Sequence, residues 1–149
     1  MAVPARPSPS GGRGWGEEAQ LRWSIIRHFA LTTTMRIAIN ALLVYGQYSG
    51  VQRTILHQAR ALLAAGGHEY VFLALQDVPL EDELGAGDSR VVRVPVRAGQ
   101  RLQRIWWEQA ALPGVLAREG VDLLYAPGYL TSLRWRGPAV VFVHDTIAL

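Results

Sequence analysis

From residue 35 onward, the chain alternates apolar runs with stripes of helical spacing. Residues 36–43 (RIAINALL) form a near-continuous apolar run, as a strand covered on both faces requires. A turn-prone loop with two glycines follows, residues 44–50 (VYGQYSG). Residues 51–65 then place Val51, Ile55, Ala59, Leu62 and Leu63 on one side of a helix. The pair Gly66-Gly67 closes that helix, as helix C-termini commonly close. Residues 69–75 (EYVFLAL) and 90–94 (RVVRV) predict two further strands, separated by an acidic, Gly-bearing loop over 76–89. Residues 100–112 predict a helix with Leu102, Ile105, Trp106, Gln109 and Leu112 on one side, so that Trp106 faces the core while Trp107 and Glu108 do not. Pro113 opens another short helix ending near Glu119-Gly120. A fourth strand over 121–126 (VDLLYA), an aromatic and Arg-rich loop over 127–137, and a fifth strand over 138–143 (PAVVFV) complete the pattern.

This order predicts an α/β fold, a Rossmann-like, mostly parallel sheet flanked by helices. Residues 1–34 stand apart. The first twenty are rich in Pro, Gly, Ser and Ala and cannot supply a core, so they are expected to be disordered. Residues 21–34 are short, apolar and basic, and Arg27 and His28 interrupt the clean apolar centre that a signal peptide needs. A membrane-surface helix is an alternative for that segment. Met35 reads as the natural start, with residues 1–34 a disordered or spurious extension. At the other end, His144-Asp145 follows the fifth strand within six residues of the terminus. Ligands in such sheets bind beyond the carboxyl ends of the strands, so the chain is expected to be the front part of a longer protein.

Composition narrows the function classes. Cysteine is absent from the 149 residues, which excludes disulfides, a thiol nucleophile and thiolate metal sites. No apolar run reaches the ~18 residues of a membrane span. Of the net charge of +3, residues 1–34 carry +2 (four Arg, two Glu) and the remainder only +1 (eleven Arg, ten acids). That balance shows no clustered basic face for nucleic acid.

Several positions can carry chemistry. The loop holding Gly46, Ser49 and Gly50 opens directly onto a helix N-terminus, where unpaired N–H groups and the dipole attract phosphate. The spacing Gly46-x-x-x-Gly50 is neither the dinucleotide fingerprint nor a P-loop, and a plain strand-to-helix turn accounts for it equally well. Arg53 in the first helical turn is electrostatically misplaced unless an anion sits there. His144, beyond a strand end, can donate to a ligand hydroxyl or act as acid or base, while Asp145 or Thr146 can simply cap a following helix. Pro127-Gly128-Tyr129 offers a turn and a stacking surface beyond the fourth strand, or a turn alone. The four histidines are scattered without metal-ligand spacing, and there is no G-x-S-x-G elbow.

The segments MRIAINALL, YGQYSGVQR, WWEQAALPGVLAREGVDLLYAPGY and PAVVFVHDT, in this order, resemble the amino-terminal domain of the family 4 glycosyltransferases. The resemblance covers residues 35–149. It implies the incomplete amino-terminal half of a GT-B fold in a retaining enzyme that moves a sugar from a nucleotide-sugar donor to a glycan or lipid-linked acceptor. It implies that Gly46, Ser49, Gly50 and Arg53 approach the donor diphosphate and that His144 is the cleft histidine contacting the transferred sugar. Asp145, Tyr129 and Trp107 or Glu108 fall on the cleft or acceptor side. No metal and no cofactor beyond the donor are implied. The parent is expected in the cytoplasm, with peripheral association at the inner membrane face, and without nucleic-acid partners. Such relatives hold the nucleotide on a second domain bearing an E-x7-E pair that this sequence lacks, so the chain is expected to be inactive alone. A stand-alone Rossmann-like nucleotide-binding or regulatory module is the alternative. A dehydrogenase half with Asp77 on a ribose is a third reading, weakened by the missing glycine fingerprint.

Overall fold

A computed structural model describes residues 34–46, 49–85, 89–129 and 131–144. The chain divides into two units, Met1–Thr34 and Met35–Leu149. The expectations for residues 1–33 lie outside the described residues.

Five strands build one sheet: β1 (Arg36–Asn40), β2 (Glu69–Leu75), β3 (Arg90–Val94), β4 (Leu123–Ala126) and β5 (Ala139–Val141). Their spatial order is β3-β2-β1-β4-β5, and each neighbouring pair is parallel. The Rossmann-like α/β reading therefore holds. Alternation along the central strands sends Ile37, Ile39, Tyr70 and Phe72 to one face, and Ala38, Leu73, Leu75 and Leu124 to the other. Both faces are covered by helices, which is why β1 and β2 read as continuous apolar runs.

On the first face lie α1 (Gly50–Ala65), which buries Ile55, Leu56 and Ala59, and α2 (Leu80–Leu84), which buries Leu80 and Leu84. On the second lie α3 (Arg101–Ala110) and α4 (Leu112–Arg118). Two expectations are corrected. Residues 76–89 are not wholly loop, because Leu80 and Leu84 stand one helical turn apart and reach the core, in a helix too short to show a period. The expected core face of α3 is corrected in its first two turns: Trp107 and Glu108 are buried, whereas Trp106 is 67% exposed and Leu102 83% exposed, and of the expected stripe only Leu112 is fully buried. Arg104 and Glu108 occupy the inner face and satisfy much of their polarity there, so hydropathy points to the wrong side.

The amino ends of the strands are tied together by Arg36. Its guanidinium pairs with Glu69 at 2.7 Å and donates to the Glu119 carbonyl at 2.8 Å, while its backbone N–H donates to Asp122 Oδ2 at 2.7 Å. Glu119 in turn pairs with Arg90 at 2.7 Å.

Candidate functional site

In a sheet of this order the chain reverses direction of travel between β1 and β4, and the loops leaving those two strands splay apart. The crevice beyond their carboxyl ends is where such a fold builds a site. Sequence places most of the candidate residues there.

The β1–α1 loop is held at both of its ends. At the strand end, Asn40 Oδ1 accepts from the Leu42 N–H at 3.2 Å, and the Val44 N–H donates to the Ala41 carbonyl at 2.9 Å. At the helix end, Ser49 and Gln52 form a reciprocal capping box: Gln52 N–H donates to Ser49 Oγ at 3.4 Å and Ser49 N–H to Gln52 Oε1 at 3.1 Å. The Gln52 side chain also donates to the Tyr45 carbonyl at 2.8 Å, which folds the loop back onto the helix start. Gly46 has φ +68°, a conformation that other residues enter at a cost. A Cβ added at Gly46 or Gly50 meets nothing within 4 Å, so space is open above both. The Gly50 and Val51 N–H groups lie in the first turn, where a helix provides no acceptor. That turn holds no acidic residue, and Arg53 is exposed within it. Net positive character therefore accumulates at an open helix N-terminus.

The second wall comes from β4 and β5. Pro127 and Gly128 are buried, and a Cβ at Gly128 would press on the Leu43 side chain and displace it, so glycine lets the β4 turn close against the β1 loop without moving Leu43. Tyr129 follows with φ +64°, the sole positive-φ residue other than glycine among the described residues. Such strain collects at functional turns. Its ring centroid is 4.9 Å from that of His144, whose ring also lies 4.9 Å from Phe142. His144 Nε2 is 2.6 Å from the Pro127 carbonyl. A carbonyl only accepts, so Nε2 carries the proton and Nδ1 of the neutral ring is left as an acceptor. Tyr129 and His144 are thus brought together, and Gly128 joins their turn to the loop of Gly46, Ser49, Gly50 and Arg53. Asp145 lies outside the described residues, as do Gln47 and Tyr48.

A model of Glycosyltransferase Family 4 matches residues 48–148. The chain belongs to this family. A search of curated proteins and a search of solved structures each found no match. The matched span of this family 4 domain takes in Ser49, Gly50, Arg53, Glu108, Tyr129 and His144, and leaves Gly46 just outside it.

Glu108, placed by sequence on the acceptor side, is 3% exposed in this family 4 domain and turned inward. Its Oε1 accepts from Asn40 Nδ2 at 2.8 Å, and Arg104 on the same helix face donates to the Leu42 carbonyl at 3.5 Å. Burial pushes the Glu108 carboxyl above the ordinary carboxylate range, and the Asn40 hydrogen bond and Arg104 charge offset only part of that rise. Glu108 Oε2 and Arg104 Nε have no partner among the described residues. Glu108 therefore braces the carboxyl end of β1 through Asn40. Asn40 and Arg104 were not among the sequence candidates. The available signal was a single polar residue closing the apolar run RIAIN.

A cavity of about 920 Å³ lies at the opposite end, lined by Arg36, Arg60, His68, Glu69, Arg90 and Glu119 among others. Its pairs Arg36–Glu69 and Arg90–Glu119 neutralise much of that lining, so size alone does not make it the site. Asp77 accepts from the Ala98 N–H at 2.9 Å and ties the loop after β2 to the one after β3. No group of three potential metal ligands is assembled among the described residues. No described helix is long and apolar enough to cross a membrane.

Proposed function

We propose that this family 4 domain forms the acceptor-side wall of a retaining GT-B glycosyltransferase, which moves a sugar from a nucleotide-sugar donor to a glycan or lipid-linked acceptor. The observation that carries the reading is the family match over residues 48–148, coinciding with an open, basic helix start at the topological crevice. In this mechanism the donor diphosphate takes the Gly50 and Val51 N–H groups, with Arg53 beside them. Charge grows on the diphosphate as the glycosidic bond breaks, and fixed N–H dipoles stabilise that growing charge without reorganisation. No metal or further cofactor is required in this proposal. His144, with Nε2 committed to Pro127, offers Nδ1 to a hydroxyl of the transferred sugar and orients it. Tyr129 presents an exposed ring to the acceptor.

The nucleotide itself is assigned to a second domain bearing paired glutamates, so the 149 residues alone bind a donor weakly and do not turn it over. The enzyme is placed in the cytoplasm, at the inner face of the membrane, with hexosyl transfer in polysaccharide assembly as its setting. The test is nuclear magnetic resonance titration of the chain with nucleoside diphosphates and their sugar conjugates. Diphosphate-dependent shifts at residues 49–53, abolished by Arg53→Ala, are expected, together with absence of turnover. Shifts elsewhere, with none at residues 49–53, would overturn the donor assignment. Turnover by the chain alone would overturn the division of labour.

A further inference from the structure

The first two turns of α3 expose residues that a monomeric surface normally hides. Leu102 is 83% exposed and Trp106 67% exposed, and they lie one turn apart on the outer face of the helix. Gln109, one turn further along the same face, donates to the Thr131 carbonyl at 3.1 Å and accepts from the Leu133 N–H at 2.9 Å. That double bond to the loop brings Leu133, 90% exposed, alongside the helix. The three large apolar side chains therefore share one surface.

The charged residues beside them along the chain are mostly basic. Arg97, Arg101, Arg134 and Arg136 are exposed, and neither residues 95–107 nor residues 127–144 contain an acid, the exposed Asp77 at the Ala98 N–H being the one carboxylate shown beside them among the described residues. The neighbouring Glu108 is buried and points inward. Arg36, Arg60, Arg90 and Arg93 have carboxylate partners, whereas among the described residues no ion pair involves Arg97, Arg101, Arg134 or Arg136, nor the exposed Arg53 and Arg118. A Trp and two Leu on segments rich in exposed Arg match an anionic lipid surface: the apolar side chains enter the headgroup boundary, and the guanidiniums remain at phosphate level.

We infer that the outer face of α3 and the 131–136 loop form a docking surface for an anionic lipid bilayer. This deepens the membrane-side part of the proposed function by naming the face, and it is scored without sugar transfer, so the two readings fail separately. The 131–136 loop leaves the turn that carries Tyr129, so an acceptor held in that bilayer reaches the crevice along the docked edge.

The experiment is flotation of the full 149-residue chain with vesicles of phosphatidylcholine, and of phosphatidylcholine mixed with phosphatidylglycerol. Binding to the anionic vesicles, weakening with salt, is expected. An Arg contributes about fivefold in partitioning near such a surface, so Arg134→Gln with Arg136→Gln lowers binding by about 25-fold. Trp106→Ser with Leu133→Ser lowers it at least tenfold at unchanged thermal stability. Wild-type binding that is absent, or equal on neutral vesicles, overturns the inference. So does retention of full binding by the Trp106/Leu133 variant, which would assign the affinity to residues 1–34. A concentration-dependent dimer dissolved by the same substitutions, without flotation, also overturns it and makes the face a contact between copies.

Discussion

Helices α1 and α3 pack on opposite faces of the same sheet, and they are docked by different physics. α1 buries Ile55, Leu56 and Ala59 along one stripe, with Ser49 and Gln52 closing its start. α3 buries a single aromatic, Trp107, flanked by Arg104 and Glu108, and turns Leu102 and Trp106 outward. The first helix is held by area removed from water. The second is held by one large ring and by a polar cluster whose members must satisfy each other. A helix of the second kind leaves its apolar side chains free for another use, and its hydropathy then misstates its orientation.

The largest expected effect comes from cutting the α1 stripe. Ile55→Ala removes a side chain that is 1% exposed and should cost about 2–5 kcal/mol in urea unfolding. A smaller loss would mean that α1 is not the apolar clamp described here. Next comes the α3 cluster: Glu108→Ala strands Asn40 Nδ2 and leaves Arg104 without its neighbouring charge, at about 1–3 kcal/mol.

Glu108→Gln sharpens the comparison further, because it keeps an acceptor for Asn40 but cannot ionise. The folded carboxyl titrates above its unfolded value. It therefore adds most to stability while protonated, below the unfolded value, and that contribution is lost as pH rises through the folded value. Wild type should lose stability relative to Glu108→Gln as pH climbs through and above the carboxylate range, then run parallel to it. Thermal melts across pH that stay parallel throughout would remove the buried-acid account.

Ser49→Ala opens the capping box of α1 and should cost about 1 kcal/mol. At the small end, Leu102→Ser and Trp106→Ser on the outer face of α3 should each change stability by no more than about 0.5 kcal/mol. A loss of several kcal/mol from Trp106→Ser would restore the orientation that the hydropathy of α3 suggests.

The strands were legible because β1 and β2 are covered on both faces and so are apolar at nearly every position. α1 was legible because its stripe and its terminators agree. The spatial order of the strands was not written locally, since it depends on which edges the helices cover. The face of α3 was misread for the reason given above, and α2 was missed because Leu80 and Leu84 make only one turn. At the candidate site, the positions beyond strand ends stood out in the sequence for Gly46, Ser49, Gly50, Arg53, Tyr129 and His144. What organises them did not. The Pro127 carbonyl that fixes the His144 tautomer is a backbone atom, and the closeness of Gly128 to Leu43 joins residues far apart in the chain. Asn40 was overlooked because its function is to bond Glu108, 68 positions away.

Arg36 has a mechanical consequence that its energy would not suggest. Exposed ion pairs are worth little each. Yet through one side chain and one N–H it anchors to β2, to the end of α4 and to the approach to β4, and Glu119 extends the anchorage to β3. Four of the five strands are thus gathered at their roots by one small network. Any spread of the crevice walls would then pivot about that base, so that a slight rotation at Arg36 would become a larger displacement at Gly46 and Tyr129. Amide exchange should be slowest near the roots and quicken toward the tips, and loosening the base with Arg36→Ala should be felt at the far end of the sheet.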